Sequence, residues 1–280
     1  MTEPLRYAAF TTTPDGGNPA GVVLDASSLD ESAMLAVAAG LGYSESAFVM
    51  PLEGREREFG IRYFSPRQEV AFCGHATIAT SVALAERLGP GPLRFATSVG
   101  EVVVETDADG DGCRATLTSI PPTTRPASAD ELARALAELR WAREDLDDGY
   151  PPHVTNAGVT HLILAVRTHA RLAALDYDLD ALGALMSELD WTTLQLVFPE
   201  RPDLFHARNP FPPGGIFEDP ATGAAAAALG GYLRELGLVP DPPHVSVLQG
   251  VEAGRPSRLE VEIPPVGGIR VSGHGVRIPG

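Results

Sequence analysis

ATIATSVALAERL, residues 76–88, and TGAAAAALGGYLREL, residues 222–236, decide the architecture of this chain. Each stretch is long enough for a helix and is apolar or small nearly all the way round. A helix with no polar face must be surrounded by protein, and Ala, Gly, Ser and Thr side chains let other elements approach it closely. Each stretch runs into Leu-Gly, at Leu88-Gly89 and Leu236-Gly237, the glycine stop of a helix. Between them SIPPTTRPAS, residues 119–128, carries three prolines and no apolar periodicity, and reads as a linker. The pattern predicts an α+β fold of two similar halves, each a curved, barrel-like sheet wrapped around a central buried helix. Residues 1–118, with a returning C-terminal strand from about 266 to 280, form the first half; residues 119–265 form the second.

The remaining elements support this division. Short strand patterns occur at 5–11, 20–24, 46–50, 57–64, 93–97, 101–106 and 113–118, and again at 160–166, 193–198, 203–208, 244–248, 258–263 and 269–277. They come in runs rather than in strict alternation with helices, which favours largely antiparallel sheets over a doubly wound parallel one. Ser28-Leu-Asp-Glu31 reads as a capping box opening a helix with Leu29, Ala33, Val37 and Leu41 on its apolar side and Gly42 at its end. Ser128-Ala-Asp-Glu131 is a second box, opening a helix with Leu132, Leu136 and Leu139 inward. A further helix is predicted over about 178–189.

Composition narrows the function. At 280 residues and 44% hydrophobic content the chain can build a sizeable core, in two domains or one large one. Its net charge of −16 repels phosphate backbones and anionic membranes, so neither nucleic acid nor membrane is an expected partner. No run of 18 apolar residues and no secretory signal pattern is present. With two cysteines, Cys73 and Cys113, reduced thiols and a cytoplasmic location are expected, although one disulfide stays open.

Chemistry concentrates just before the two central helices. Phe72-Cys-Gly-His-Ala-Thr77 opens the first and Glu218-Asp-Pro-Ala-Thr-Gly223 the second. Helix N-termini suit a carboxylate ligand. Two such ends facing one cleft would let an acidic protein grip a small acid through backbone amides. Asp219 before Pro220 fits plain N-capping equally well, and His75 and Cys73 fit structural roles. Glu45, between a helix end and an apolar strand, is either a turn residue or a carboxylate held for general-base work. Asp107-Ala-Asp-Gly-Asp-Gly112 imitates half a calcium loop but has Thr118 at the twelfth position, so a hairpin turn is expected. No metal-binding, nucleotide-binding or serine-nucleophile motif is present, so no metal and no cofactor are expected.

Several stretches together resemble the phenazine biosynthesis PhzF-like family, of the diaminopimelate epimerase-like fold. They are Phe10-Thr11, Gly17-Asn-Pro-Ala-Gly21, Ser44-Glu-Ser-Ala-Phe-Val49, Tyr63-Phe-Ser-Pro66, Glu69-Val-Ala-Phe-Cys-Gly-His-Ala-Thr77, Gly215-Ile-Phe-Glu-Asp-Pro-Ala-Thr-Gly223, Gln249-Gly250, Gly254-Arg255 and Val271-Ser-Gly273. The resemblance implies two pseudo-symmetric halves with the active site in the cleft between them, and a homodimer. It implies a cofactor-free isomerase acting on a small carboxylic acid. In the family the residue matching Glu45 moves a proton between carbons of dihydro-hydroxyanthranilate. Those matching His75 and Asp219 bind substrate and assist. Around the substrate the resemblance places Asn18, Ser44, Gly74, Thr222, Gly223 and Ala224, with amides of Gly74, Gly223 and Ala224 on its carboxylate. The family's usual serine is replaced by Ala224, which removes one hydroxyl donor and points to a different substrate. Related amino-acid epimerases exchange a proton through two cysteines; here only Cys73 is matched. An amino-acid epimerase or racemase, and a non-catalytic metabolite-binding protein, are the alternative readings.

Overall fold

The computed structural model describes residues 3–110 and 112–279. The chain divides into two compact units, residues 1–118 with 272–280, and residues 119–271. The return to the first unit comes at Ser272 rather than near 266. Residues before it belong to the second unit, where Ile269 packs at Gly230 and Arg270 pairs with Glu262 at 2.9 Å.

Unit 1 is a closed barrel. Its strands are β1 (Leu5–Ala9), β2 (Asn18–Val23), β3 (Ser46–Leu52), β4 (Arg55–Phe64), the short β5 (Glu69–Val70), β6 (Leu93–Thr97), β7 (Gly100–Asp109) and β8 (Gly112–Thr118). The hydrogen-bonded order is β1-β2-β3-β4-β6-β7-β8. The chain's last strand, Arg270–Arg277, then lies between β8 and β1 and closes the ring. Most pairs are antiparallel; β2–β3 and β4–β6 are parallel. Asp109 pairs with Gly112, so the acidic Asp-Gly stretch does form the hairpin expected, although its Asp111 lies outside the described residues.

Helix α1 (Glu31–Leu41) covers one outer face through Met34 and Ala38, against Val23, Phe48 and Phe64. Its start corrects the sequence reading. The cap is Asp30, whose carboxylate accepts from the Ala33 N–H at 2.8 Å, not Ser28. Both residue types cap well, and the residues the helix buries are Met34 and Ala38. Gly42, with φ 71°, ends the helix as expected. Helix α2 (Gly74–Leu88) packs against β1, β2, β3, β7 and β8, with 11 of its 15 residues buried. Burying side chains such as Ile78 and Val82 contributes about 1.5–3 kcal/mol each. Gly275 of the last strand passes so close that a Cβ there would stand 3.0 Å from Val82.

Unit 2 repeats the plan with an open sheet. Its strands are β9 (Thr123–Pro126), β10 (His153–Asn156), β11 (Thr160–Ala165), β12 (Thr193–Arg201), β13 (Leu204–Arg208), the small ribbon β14 (Pro210–Phe211) and β15 (Ile216–Glu218), β16 (His244–Gln249) and β17 (Ser257–Glu262). The sheet runs β9-β10-β11-β12-β13-β16-β17, with β11–β12 and β13–β16 parallel. Helices α3 (Ala129–Glu138), α4 (His169–Ala173) and α5 (Leu179–Glu188) contribute Leu136, Leu172, Leu182 and Met186 to one core with Leu194 and Leu196. The capping box at Ser128 and Glu131 is present as read. Helix α6 (Gly223–Glu235) touches β9, β10, β11, β12 and β17. Gly231 leaves room for Pro122, which a Cβ would meet at 2.5 Å.

The linker reading needs correction. Thr123–Pro126 is a strand, paired with β10 from Thr123↔Asn156 to Pro126↔His153. It is a sheet edge, where proline is tolerated because one side donates no ladder bonds. Among the described residues no helix is long and apolar enough to cross a membrane.

Candidate active site

The site residues of unit 1 lie at the entrance to α2. Gly21 pairs with Ser46 in parallel register, which puts Asn18 and Ser44-Glu45 at the same end of the β2–β3 pair. Cys73 is the N-cap of α2, and Gly74 and His75 are its first residues. Glu45, Cys73 and His75 converge. The Cys73 Sγ lies 3.7 Å from Glu45 Oε2 and 3.3 Å from His75 Nδ1. His75 Nε2 lies 3.6 Å from the same carboxylate oxygen. His75 and Cys73 are buried, and Glu45 retains 18% side-chain exposure. The loop carrying them is pinned from below. Tyr63 Oη meets Thr77 Oγ1 at 2.7 Å, and Thr77 Oγ1 donates to the Cys73 carbonyl at 2.7 Å. Burial pushes the Tyr63 hydroxyl pKa up, so this pin stays neutral.

In unit 2 the entrance to α6 is a closed set of hydrogen bonds. Thr222 Oγ1 donates to Asp219 Oδ2 at 2.6 Å. Gln249 Nε2 donates to the Asp219 carbonyl at 2.7 Å and to Thr222 Oγ1 at 3.1 Å, while Gln249 Oε1 accepts from the Thr222 N–H at 3.3 Å. The Asp219 N–H donates to the Asn209 carbonyl at 2.9 Å. Gly250 has to be glycine: its φ is +76°, and a Cβ would meet the Pro220 carbonyl oxygen at 2.6 Å. Glu218, the neighbour of Asp219, is engaged in a buried ion pair with Arg208. Gly223 and Ala224 are the first residues of α6.

Behind Asn209 the interior of unit 2 is polar. His161 Nδ1 meets Thr193 Oγ1 at 2.8 Å, and Asn209 Nδ2 donates to the same hydroxyl at 3.3 Å. Desolvation pushes the fully buried His161 down to about 4, so it is neutral at physiological pH.

The helix entrances follow a rule. Asp30, Ser128, Thr168 and Asp178 cap the four outer helices, each accepting from a backbone N–H of the first turn. The N-cap residues of α2 and α6, Cys73 and Thr222, make no side-chain cap bond. Asp219 is therefore not the plain N-cap that its place before Pro220 allowed.

Sequence comparison gives the family. The family model described as phenazine biosynthesis-like protein matches residues 7–279. The chain belongs to that family. An uncharacterized isomerase of Deinococcus radiodurans is 36% identical to it over 97% of this chain and 89% of that protein. A trans-2,3-dihydro-3-hydroxyanthranilate isomerase of Pseudomonas chlororaphis is 30% identical, over 96% of this chain and 94% of that one. Among solved structures, a PhzF-family protein of Bacillus anthracis superposes with a TM-score of 0.85 at 25% identity, covering 99% of this chain and 96% of its own. Isomerase is the enzyme class these relatives give the chain.

Two structural contributors escaped the sequence reading. Thr77 ties the Cys73 carbonyl to Tyr63, and Gln249 fastens Asp219 to Thr222. Gln249-Gly250 ends a strand with a left-handed glycine, a local signal that the chain turns back there.

Proposed function

We propose that the protein is a cofactor-independent isomerase that moves a proton on a small carboxylic acid, with Glu45 as the acid/base. The observation that supports this best is the half-buried Glu45 carboxylate set within 4 Å of both the Cys73 thiol and the His75 imidazole. The carboxylate takes a proton from one carbon of the substrate, the electron pair shifts along the unsaturated system, and the same carboxylate returns the proton to another carbon. Nothing is oxidised or reduced. His75 assists by donating to the charge that develops on the substrate. Asp219, its carboxylate oriented by the Thr222 hydroxyl, keeps the positioning role that the family resemblance gives it, and the uncapped first turn of α2 supplies amides for the substrate's carboxylate.

The substrate class follows the relatives: a cyclic, unsaturated amino or hydroxy acid of the dihydro-hydroxyanthranilate kind, with Ala224 permitting a variation on it. The test is incubation of the full chain in D₂O with trans-2,3-dihydro-3-hydroxyanthranilate and a panel of cyclic and amino acids. Deuterium at a carbon of a rearranged product is expected. Deuterium at an α-carbon with inversion and no rearrangement would replace the isomerase by an epimerase, and no exchange across the panel would count against catalysis.

A further inference from the structure

Four buried polar side chains share one face of the unit 2 sheet. His161 and Thr193 stand opposite each other in the parallel β11–β12 register, and Gln195 lies two residues along β12 from Thr193, on the same side. Leu194 and Leu196 alternate to the other side, into the core made with α3, α4 and α5. Leu196 pairs with Arg208, so the antiparallel register carries Asn209 opposite Gln195, and the Asn209 amide reaches the Thr193 hydroxyl at 3.3 Å. None of the four is more than 1% exposed. The Thr193 hydroxyl joins His161 Nδ1 to Asn209, and that join leaves a surplus. His161 Nε2, Asn209 Oδ1 and both polar atoms of the Gln195 amide have no hydrogen-bond partner among the described residues. The central helix against this sheet, α6, carries alanine from 224 to 228 and then Leu229, so that run offers them no polar side chain. We propose that this patch binds ordered internal water, and that the water-bridged set holds the main chain at Asp219.

The surplus atoms select the ligand. Gln195 Nε2 donates, Gln195 Oε1 and Asn209 Oδ1 accept, and His161 adds a ring nitrogen, so the set needs a partner that both donates and accepts. It carries no formal charge, and an ion of either sign would find half of it facing the wrong way. Water meets both demands, and a buried water makes about three hydrogen bonds to groups of this kind. Residues directly opposite in a sheet have Cβ atoms about 4.5–5.5 Å apart, which lets one water bond to the side chains of both Gln195 and Asn209. His161 stands diagonally across from Gln195, where its ring can join the same cluster. The place matters because the Asn209 carbonyl accepts the Asp219 N–H at 2.9 Å. Fastening the Asn209 side chain on both sides, by Thr193 and by water, fixes that carbonyl and with it the chain entering α6. Catalysis is touched only through the positioning role of Asp219 and rests there on the function proposed above; the water site does not depend on it.

The test uses no substrate, so its failure and failure of the isomerase reading are separate results. A crystal structure of the full chain, at a resolution that shows ordered water, should place one within hydrogen-bond distance of the Gln195 amide and the Asn209 side chain. Gln195→Met keeps the length of the side chain and removes both of its hydrogen-bonding atoms. Its urea midpoint should fall, because the water and Asn209 lose a partner. A dry patch would give the opposite sign, since removing an unpartnered buried amide stabilises. In the same variant the Asp219 amide, followed by site-resolved hydrogen exchange, should exchange at least tenfold faster relative to the α3 amides of the same molecule. Density without ordered water at the patch, or a Gln195→Met midpoint equal to or above that of the native protein, overturns the site. The crystal structure of the native chain decides the water even if Gln195→Met does not fold. Asp219 exchange that changes only in proportion to α3 overturns the hold on Asp219 while leaving the water site standing.

Discussion

The entrances to the two central helices share a plan and are furnished differently. Neither α2 nor α6 has a side-chain cap, in contrast to the four helices on the outside of their units. Around the α2 entrance stand a carboxylate, a thiol and an imidazole at 3.3–3.8 Å, contacts longer than ordinary charge-assisted hydrogen bonds. Around the α6 entrance the contacts are short and directional, with Asp219, Thr222 and Gln249 joined at 2.6–3.3 Å. A group locked by several short bonds holds a position, and a group loosely surrounded by titratable neighbours can change protonation without dismantling its support. This contrast is why the proposal gives proton transfer to Glu45 and substrate positioning to Asp219.

The largest expected effect tests that division directly. Glu45→Gln keeps the size of the side chain but cannot accept and return a proton, so kcat should fall by about 10²–10⁴, with KM changed only a few-fold. Asp219→Asn keeps an oxygen for the Thr222 hydroxyl and should act mainly through KM. Steady-state kinetics on the substrate found by deuterium exchange decides. If Asp219→Asn lowers kcat as far as Glu45→Gln does, the two entrances do not divide the work, and a two-base epimerase-like mechanism gains ground.

What could be read in the sequence depended on whether the information was local. The central helices announced themselves because their small, all-round apolar composition is incompatible with a solvated face. The box at Ser128 was legible for the same reason: both of its partners lie within three residues. At α1 two good caps, Ser28 and Asp30, stand two residues apart, and the packing of Met34 and Ala38 on Phe48 and Phe64 made the choice. Thr123–Pro126 has no strand pattern of its own and owes its conformation to β10, 31 residues away at Thr155. Glu45 could be singled out as a residue, but its approach to Cys73 belongs to the closure of the barrel and has no local signature.

The next effect is smaller and belongs to unit 2. His161 is fully buried and held neutral, with its pKa pushed down from 6.5 to about 4 by desolvation. Between those values the unfolded chain binds a proton that the folded chain refuses. Stability therefore rises with pH through this window and is lost as pH falls from 6.5 towards 4. The loss attributable to His161 is on the order of 3 kcal/mol. Denaturant unfolding of the native protein and of His161→Gln at several pH values between 4 and 7 isolates it, because carboxylates titrate equally in both proteins. Parallel pH profiles would show that the polar interior behind Asn209 already accommodates a charged imidazole, and the picture of a rigid, neutral support for Asp219 would have to go.

The smallest effect concerns the outer helices, where capping serves stability alone. Ser128 accepts from the Glu131 N–H while Glu131 accepts from the Ser128 N–H, and Arg125 clasps the same carboxylate, which holds its pKa at about 2. Ser128→Ala should cost about 1 kcal/mol, read as a lower urea midpoint at an unchanged slope. Asp30→Ala should cost a similar amount in unit 1, since its carboxylate is the cap of α1, whereas Ser28→Ala should cost almost nothing. Exchange activity per folded molecule should be the same in all three variants, because none of these residues belongs to a central helix entrance. A Ser28→Ala penalty as large as that of Asp30→Ala would put the start of α1 back where the sequence pattern placed it. A loss of activity in Ser128→Ala at full folding would mean that the outer helices are not independent of the chemistry, and the contrast between capped and uncapped entrances would lose its functional meaning.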